Sequence, residues 1–414
     1  MSLIVQKFGG TSVGSIDRIQ GAAARALATQ RAGNDVVVIV SAMAGETNRL
    51  LKLAADLSPM PDSREADALA ATGEQVSAAL MAIAIQSQGG KARSFLGHQL
   101  KILTDNAFMK ARIKAIDVQR LNETLAGGMI AVVAGFQGVD DDGNITTLGR
   151  GGSDTSAVAI AAAIGAACEI YTDVDGVYTT DPNICKTARK IERVSYEEML
   201  ELASVGAKVL QIRSVEVAMK YSVPVHVRSS FSDAPGTWVV GEEQSLESIT
   251  VTGVALEKNE ARVMLVGVDD RPGVVAQIFG ALAGEGISVD MIIQSPSVHG
   301  SMLPGGGRDK TDVTFTVGRA DLPKTRVLVE KLVIDVGARS VRYDEEIVKV
   351  SIVGLGMRSH AGVAAQMFQL LAAEGINIEA ISTSEIKISC LVATKYAELA
   401  VRALHDGFGL GAKP

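Results

Sequence analysis

The sequence predicts an α/β domain on a mostly parallel sheet, followed by two ferredoxin-like βαββαβ modules. Three features predict it: an apolar N-terminal strand running into a Lys-Phe-Gly-Gly turn, alternating strand-like and helix-like stretches in the first half, and an internal repeat in the second. At 414 residues the chain is long enough for about two to three domains with large apolar cores.

The first element is Leu3-Ile4-Val5, feeding into Gln6-Lys7-Phe8-Gly9-Gly10-Thr11-Ser12, with a helical pattern from about Ser15. A buried strand that ends in a Lys and two glycines brings bare backbone N–H groups and one ammonium to the same point, as the terminal phosphates of a nucleotide require. Lys7 precedes its glycines, so this is not a Walker loop, and Gly9 to Gly14 lacks the G-x-G-x-x-G spacing. An ordinary tight βα turn is the alternative reading here.

Strand-like runs at Val36–Ser41, Ile130–Ala134, Glu169–Tyr171 and Val223–Val227 alternate with helical stretches at Ile16–Ala32, Arg64–Gln88, Arg112–Ala126 and Thr155–Ala166. That alternation implies βαβ units. The polar stretch Ser229–Glu247, with its Pro235-Gly236 pair, reads as the exit from the domain.

The repeat follows. Arg271-Pro-Gly-Val-Val-Ala-Gln-Ile-Phe aligns with His360-Ala-Gly-Val-Ala-Ala-Gln-Met-Phe, and Gly273/Gly362, Gln277/Gln366, Phe279/Phe368, Gly286/Gly375 and Ile292/Ile381 match at a constant offset. Each copy has a strand before it (Arg262–Gly267; Val348–Val353), an amphipathic helix, a glycine stop and strands after it. The boundaries read 1–230 for the α/β domain, 231–248 for a linker, 262–340 for the first module, and 249–261 with 341–414 for the second. The first module interrupts the second, whose opening strand is expected near Ile249–Ala255.

Within the α/β domain, Thr147-Leu148-Gly149-Arg150-Gly151-Gly152-Ser153-Asp154 runs into an Ala-rich helix. Glycines permit close approach, a helix start favours an anion, and the Arg150 guanidinium offers bidentate capture of a carboxylate or phosphate. Ser153 or Asp154 as a plain N-cap is the competing reading. Tyr171-Thr172-Asp173-Val174-Asp175-Gly176-Val177-Tyr178 leaves a strand end with acidic, hydroxyl and aromatic groups suited to a ribose and a base, or equally to a simple turn. Ser41-Ala42-Met43 with Glu46 and Thr47 follows another strand at its carboxyl end, where open α/β sheets bind ligands. Glu74, in an apolar helical context, is either solvated or aimed at a substrate ammonium.

Composition narrows the function. A formal charge of −7 leaves no basic stripe for nucleic acid. Three scattered cysteines, Cys168, Cys185 and Cys390, indicate neither a disulfide framework nor a zinc site, and fit a reducing cytoplasm. The longest apolar stretch, Ala157 to Cys168, is too short to span a bilayer, so no membrane partner is expected.

Together, Lys7-Phe8-Gly9-Gly10-Thr11-Ser12, Ser41-Ala42-Met43, Gly135-Phe136, Gly149-Arg150-Gly151-Gly152-Ser153-Asp154 and Tyr171-Thr172-Asp173-Val174-Asp175-Gly176, with the paired repeats, resemble the aspartate kinase family in its monofunctional form with tandem ACT domains. The resemblance covers essentially the whole chain. It implies an amino-acid-kinase-like αβα sandwich and transfer of phosphate from ATP, with Mg²⁺ carried mainly by its phosphates, to the β-carboxylate of L-aspartate.

By the same resemblance, Lys7 stabilises the transferring phosphoryl group and Asp154 orients Lys7. Arg150 pairs with the substrate α-carboxylate and Glu74 with its ammonium, while Thr47, Phe136, Gly151, Gly152 and Ser153 complete the pocket. Gly9, Gly10, Ser41, Thr172, Asp173, Tyr178 and Lys208 match nucleotide positions, and no residue is assigned to a protein-held metal. Asn183 stands where the family commonly has Arg, which removes a cation from the nucleotide loop.

In the repeats, Asp270, Gln294, Asn377 and Ile378 match a threonine site. Threonine, lysine or both are the implied effectors, acting in a homo-oligomer or with a shorter regulatory chain. The Gly- and Pro-rich segment Ser295–Lys310 is longer than usual, and Ser295 stands where Asn is common. Acetylglutamate kinase, glutamate 5-kinase and uridylate kinase share the phosphate-binding logic but lack tandem ACT modules. A catalytically dead sensor need not keep Lys7 and Asp154 together, and the end at Pro414 leaves no room for a fused homoserine dehydrogenase.

Overall fold

The computed structural model describes residues 2–207, 209–242, 250–296, 310–358 and 360–412. Lys208, Ile249 and most of the 295–310 segment lie outside the described residues. The chain divides into two compact units, Met1–Thr179 with Arg189–Glu247, and Thr180–Ala188 with Ser248–Pro414. The short excursion Thr180–Ala188 therefore leaves the domain in which the sequence places it.

The first unit is an eight-stranded sheet in the spatial order Arg193–Ser195, Thr237–Val240, Val225–Ser229, Ala167–Thr172, Leu3–Phe8, Asp35–Val40, Ile130–Ala134, Ala92–Phe95. Every neighbouring pair is parallel except Val225–Ser229 with Thr237–Val240. The Val-rich strand Asp35–Val40 is buried on both faces because helices cover both. Val36, Val38 and Val40 face a core shared with the helices Ile16–Arg31 and Thr72–Ser87. The helix Gly152–Ile164 packs against the sheet as well. A smaller sheet runs Ile113–Ile116, Ile102–Thr104, Gln137–Val139, Ile145–Thr147.

Three local expectations fail, the first two because tertiary pairing overrides local pattern. Within the expected linker 231–248, Thr237–Val240 is a strand of the main sheet, with Trp238 stacked on His226 at 4.0 Å. The expected helix Arg112–Ala126 splits into the strand Ile113–Ile116 and the helix Gln119–Ala126. The stretch Arg64–Gln88 forms two helices, Ser63–Ala70 and Thr72–Ser87, joined at Ala71. By length and composition alone Ser63–Ser87 could cross a bilayer, contrary to the estimate from Ala157–Cys168. Its buried residues Ala78, Met81 and Ile85 instead belong to the domain core, and Asp67 and Glu74 are buried within it.

In the second unit, one module runs strand Glu260–Asp269, helix Val274–Gly284, strands Val289–Pro296 and Lys310–Gly318, helix Leu322–Asp335, strand Ser340–Asp344. The other runs strand Ile347–Val353, helix Val363–Ala373, strands Ala380–Thr383 and Lys387–Ala393, helix Ala397–Gly407. Its fourth strand is Gly253–Glu257, antiparallel to Ile347–Val353 just as Ser340–Asp344 is to Glu260–Asp269. That strand therefore comes first in the chain but takes the closing place in its sheet. Among the described residues, ion pairs tie the modules together: Lys349 Nζ lies 3.0 Å from Glu260 and also pairs with Asp290, and Arg262 lies 2.7 Å from Glu379.

Candidate active site

The chain builds outward from Leu3–Phe8 in both directions, so the order reverses between this strand and Ala167–Thr172. Open α/β sheets bind ligands at the carboxyl ends flanking such a point. Backbone bonds stitch these ends together: Gly9 N donates to Tyr171 O (3.2 Å), Ser41 N to Phe8 O (3.1 Å) and Gly135 N to Val40 O (3.0 Å). Lys7, Gly9, Ser41, Gly135 and Thr172 thus share one edge.

Gly10 fits because a Cβ there would meet the Ala42 carbonyl at 2.9 Å. The turn after the first strand lies directly on the Ser41-Ala42-Met43 loop, and Ala44 N donates to Gly10 O at 3.1 Å. Lys7 is buried, and its Nζ lies 2.5 Å from Asp154 Oδ1 in the first turn of Gly152–Ile164. The helix start favours that carboxylate, which fixes the ammonium at the edge.

Glu74 is buried in the first turn of Thr72–Ser87. One carboxylate oxygen accepts the N–H of Ala42 at 2.9 Å, while Oε2 has no hydrogen-bond partner among the described residues. Burial pushes its pKa up to about 7, with the Ala42 hydrogen bond acting in the opposite direction. An orphaned buried oxygen is costly unless a ligand satisfies it. Gly73, one residue earlier, abuts the start of the helix Glu46–Leu57, which holds half-buried Thr47.

On the other flank, Phe136 has a left-handed backbone (φ 69°), its N–H donating to Ser156 Oγ at 3.1 Å. A Cβ on Gly152 would meet its ring at 2.8 Å, and a Cβ on Gly135 would meet Ser153 at 3.0 Å. Phe136, Gly152 and Ser153 therefore form one wall, joined to Lys7 through Asp154. Arg150 lies exposed between Gly149 and Gly151, and among the described residues its guanidinium has no ion-pair partner. Beyond the strand Ala167–Thr172, Thr172 Oγ1 donates to Asp173 (3.2 Å) and the Tyr178 hydroxyl to Asp175 (2.8 Å).

Lys208 lies outside the described residues, and Asn183 falls in the excursion of the second unit, where its N–H donates to Asp181 (2.8 Å). In the repeats, Asp270 follows the strand Glu260–Asp269 and Gln294 sits on the edge strand Val289–Pro296, both exposed. Asn377 is exposed and Ile378 half-buried just before Ala380–Thr383.

Sequence reasoning passed over two charges behind the Arg150 loop, the buried Asp67 and the half-buried Arg213. Asp67 lies in the buried phase of an alanine-rich helix, between Ala66 and Ala70. An acidic residue in that phase was the available signal.

The amino acid kinase family model matches residues 2–229, and ACT domain models match 262–332 and 350–408. An aspartate kinase of Pseudomonas putida is 52% identical over 414 residues, 100% of this chain and 98% of that protein. Escherichia coli aspartokinase III in complex with aspartate and ADP, in its R-state, superposes with a TM-score of 0.80 at 26% identity, over 98% of this chain and 99% of that one. The same enzyme in complex with lysine and aspartate, in its T-state, gives 0.75 at 26% identity, over 98% and 99%.

Proposed function

Because the chain belongs to the aspartate kinases, within the amino acid kinase family, we propose that it transfers the γ-phosphoryl group of ATP to the β-carboxylate of L-aspartate. The products are 4-phospho-L-aspartate and ADP, in the first step of lysine, threonine and methionine biosynthesis. The observation that carries this reading is the buried Lys7–Asp154 pair at the carboxyl edge of the sheet, where strand order reverses. An ammonium held there faces the charge that builds on the phosphoryl oxygens during transfer.

The nucleophile needs no base, since a carboxylate with an ordinary pKa near 4 is already ionised at neutral pH. Catalysis is positioning and charge neutralisation. Arg150 takes the α-carboxylate in a two-pronged contact, and Glu74 Oε2 takes the ammonium. Thr47, Phe136, Gly151, Gly152 and Ser153 shape the space between them. Gly9, Gly10, Ser41, Thr172, Asp173, Tyr178 and Lys208 hold the nucleotide. With Asp154 committed to Lys7, a magnesium ion brought by ATP would be held mainly by the nucleotide's phosphate oxygens and would supply charge neutralisation.

Asp270, Gln294, Asn377 and Ile378 receive threonine, with lysine as a second effector; aspartokinase III of E. coli in complex with lysine supports an amino acid in this role. The chain works as a homo-oligomer or with a shorter regulatory chain. It acts in the cytoplasm, which suits its three free buried thiols.

Measuring ADP release with L-aspartate, L-glutamate and N-acetylglutamate, and trapping the acyl phosphate with hydroxylamine, tests the reaction. Aspartate should support turnover and yield the hydroxamate. Equal turnover with glutamate, or no trapped product, overturns it.

A further inference from the structure

Arg150 stands between two glycines that are both left-handed, Gly149 (φ 75°) and Gly151 (φ 72°). A Cβ at Gly149 would lie 2.8 Å from the Met109 carbonyl, and one at Gly151 would overlap the Gln211 side chain. The loop is pressed against neighbours on both sides, so its backbone has one place to go.

Behind it the backbone groups of Thr147 and Leu148 are all paired. Thr147 N donates to Asp67 Oδ2 at 2.8 Å, Ala111 N donates to Thr147 O at 2.9 Å, Leu148 N donates to Phe136 O at 2.9 Å, and the Arg213 guanidinium donates to Leu148 O. Asp67 also accepts the Thr147 hydroxyl at 2.6 Å and the Met109 N–H at 3.0 Å, and Arg213 also donates to Ala111 O at 2.8 Å. Asp67 and Arg213 therefore grip the same two segments, Thr147–Leu148 and Met109–Ala111, from opposite helices.

Asp67 is fully buried, and among the described residues no Lys or Arg pairs with it. A buried carboxylate without a cation is a poor stabilising device, because its desolvation must be offset by hydrogen bonds alone. What it does without substitute is accept three donors from two loops at once, each loop bordering Arg150.

We propose that Asp67 and Arg213 are positioning residues for substrate capture, fixing the Thr147–Gly152 loop so that the Arg150 guanidinium is presented in one orientation. The inference rests on the reading that Arg150 binds the α-carboxylate of aspartate. A planar fork tolerates little misplacement, and a shift of about 1 Å can cost on the order of 10²-fold.

Steady-state kinetics of Asp67→Asn, Thr147→Val and Arg150→Ala, with Asp67→Asn repeated in the Arg150→Ala background, test it. The Asn carboxamide turns a donor toward a donor, so KM for aspartate should rise roughly 10- to 100-fold while KM for ATP stays within about twofold. Thr147→Val, which removes only the hydroxyl bond, should raise KM for aspartate about 2- to 12-fold and keeps the test open if Asp67→Asn does not fold. In the Arg150→Ala background Asp67→Asn should add less than about a further twofold. If Arg150→Ala raises KM for aspartate but the Asp67 and Thr147 variants do not, or raise both KM values equally, the positioning role is overturned. If Arg150→Ala itself leaves KM for aspartate unchanged, the reading of Arg150 fails and this inference with it.

Discussion

Lys7 Nζ lies 2.5 Å from Asp154 Oδ1, and this single pair joins the end of the first strand to the first turn of the helix Gly152–Ile164. The two residues are far apart in the chain, yet the parallel pairing of Leu3–Phe8 with Ala167–Thr172 brings their elements to one edge. An ammonium held by a carboxylate at that edge is preorganised, which is what makes a charge effective against a developing phosphoryl transition state.

Lys7→Ala should keep the fold and nucleotide binding while kcat falls by about 10²–10³. Circular dichroism, nucleotide titration and turnover on the same preparation check this. Near-normal turnover would remove Lys7 from the reaction.

Arg150→Lys should weaken aspartate use by roughly 1.5–3 kcal/mol in kcat/KM with little change in KM for ATP, since an ammonium cannot reproduce a two-pronged contact. Equal damage to both substrates would make Arg150 a phosphate ligand instead.

Glu74 predicts a pH dependence. Its pKa is raised from 4.5 to about 7, so the ionised form that an ammonium needs prevails only above about pH 7. Aspartate affinity should climb as pH rises toward and through 7 and then level off, and Glu74→Gln should flatten the profile at low affinity. The sign for stability is opposite. Between pH 4.5 and about 7 the unfolded carboxyl loses its proton before the folded one does, so the folded state loses stability as pH rises and bears the full penalty above about 7. Glu74→Gln should therefore be more stable at pH 8 by up to ~3 kcal/mol, and no more stable at pH 4; thermal melts at both pH values check this.

Feedback should run through the repeats. Threonine, acting with lysine, is expected to weaken activity or substrate binding about 5- to 150-fold, the range of a typical coupling energy. Asp270→Ala should relieve that inhibition and leave the uninhibited rate unchanged. Activity titrated with threonine, lysine and both together decides it, and a flat response in all three would reduce the modules to assembly elements.

The amino-acid sequence by itself determined the elements whose chemistry is local. The Lys7-Phe8-Gly9-Gly10 turn, the Gly149–Gly152 loop and the repeat register of Gly273 with Gly362 are read from neighbouring residues, because glycine placement and apolar period act over a few positions. Only the tertiary structure decided the rest. The strand Thr237–Val240 looks like a polar exit until it pairs with Val225–Ser229. Glu74 could equally have been solvated: its raised pKa exists because helix Thr72–Ser87 turns that face into the domain against Ala42. Asp67 acquires its three donors from loops that meet it only in the folded chain. Burial and long-range pairing are properties of what surrounds a residue in space, and neither composition nor spacing along the chain encodes that directly.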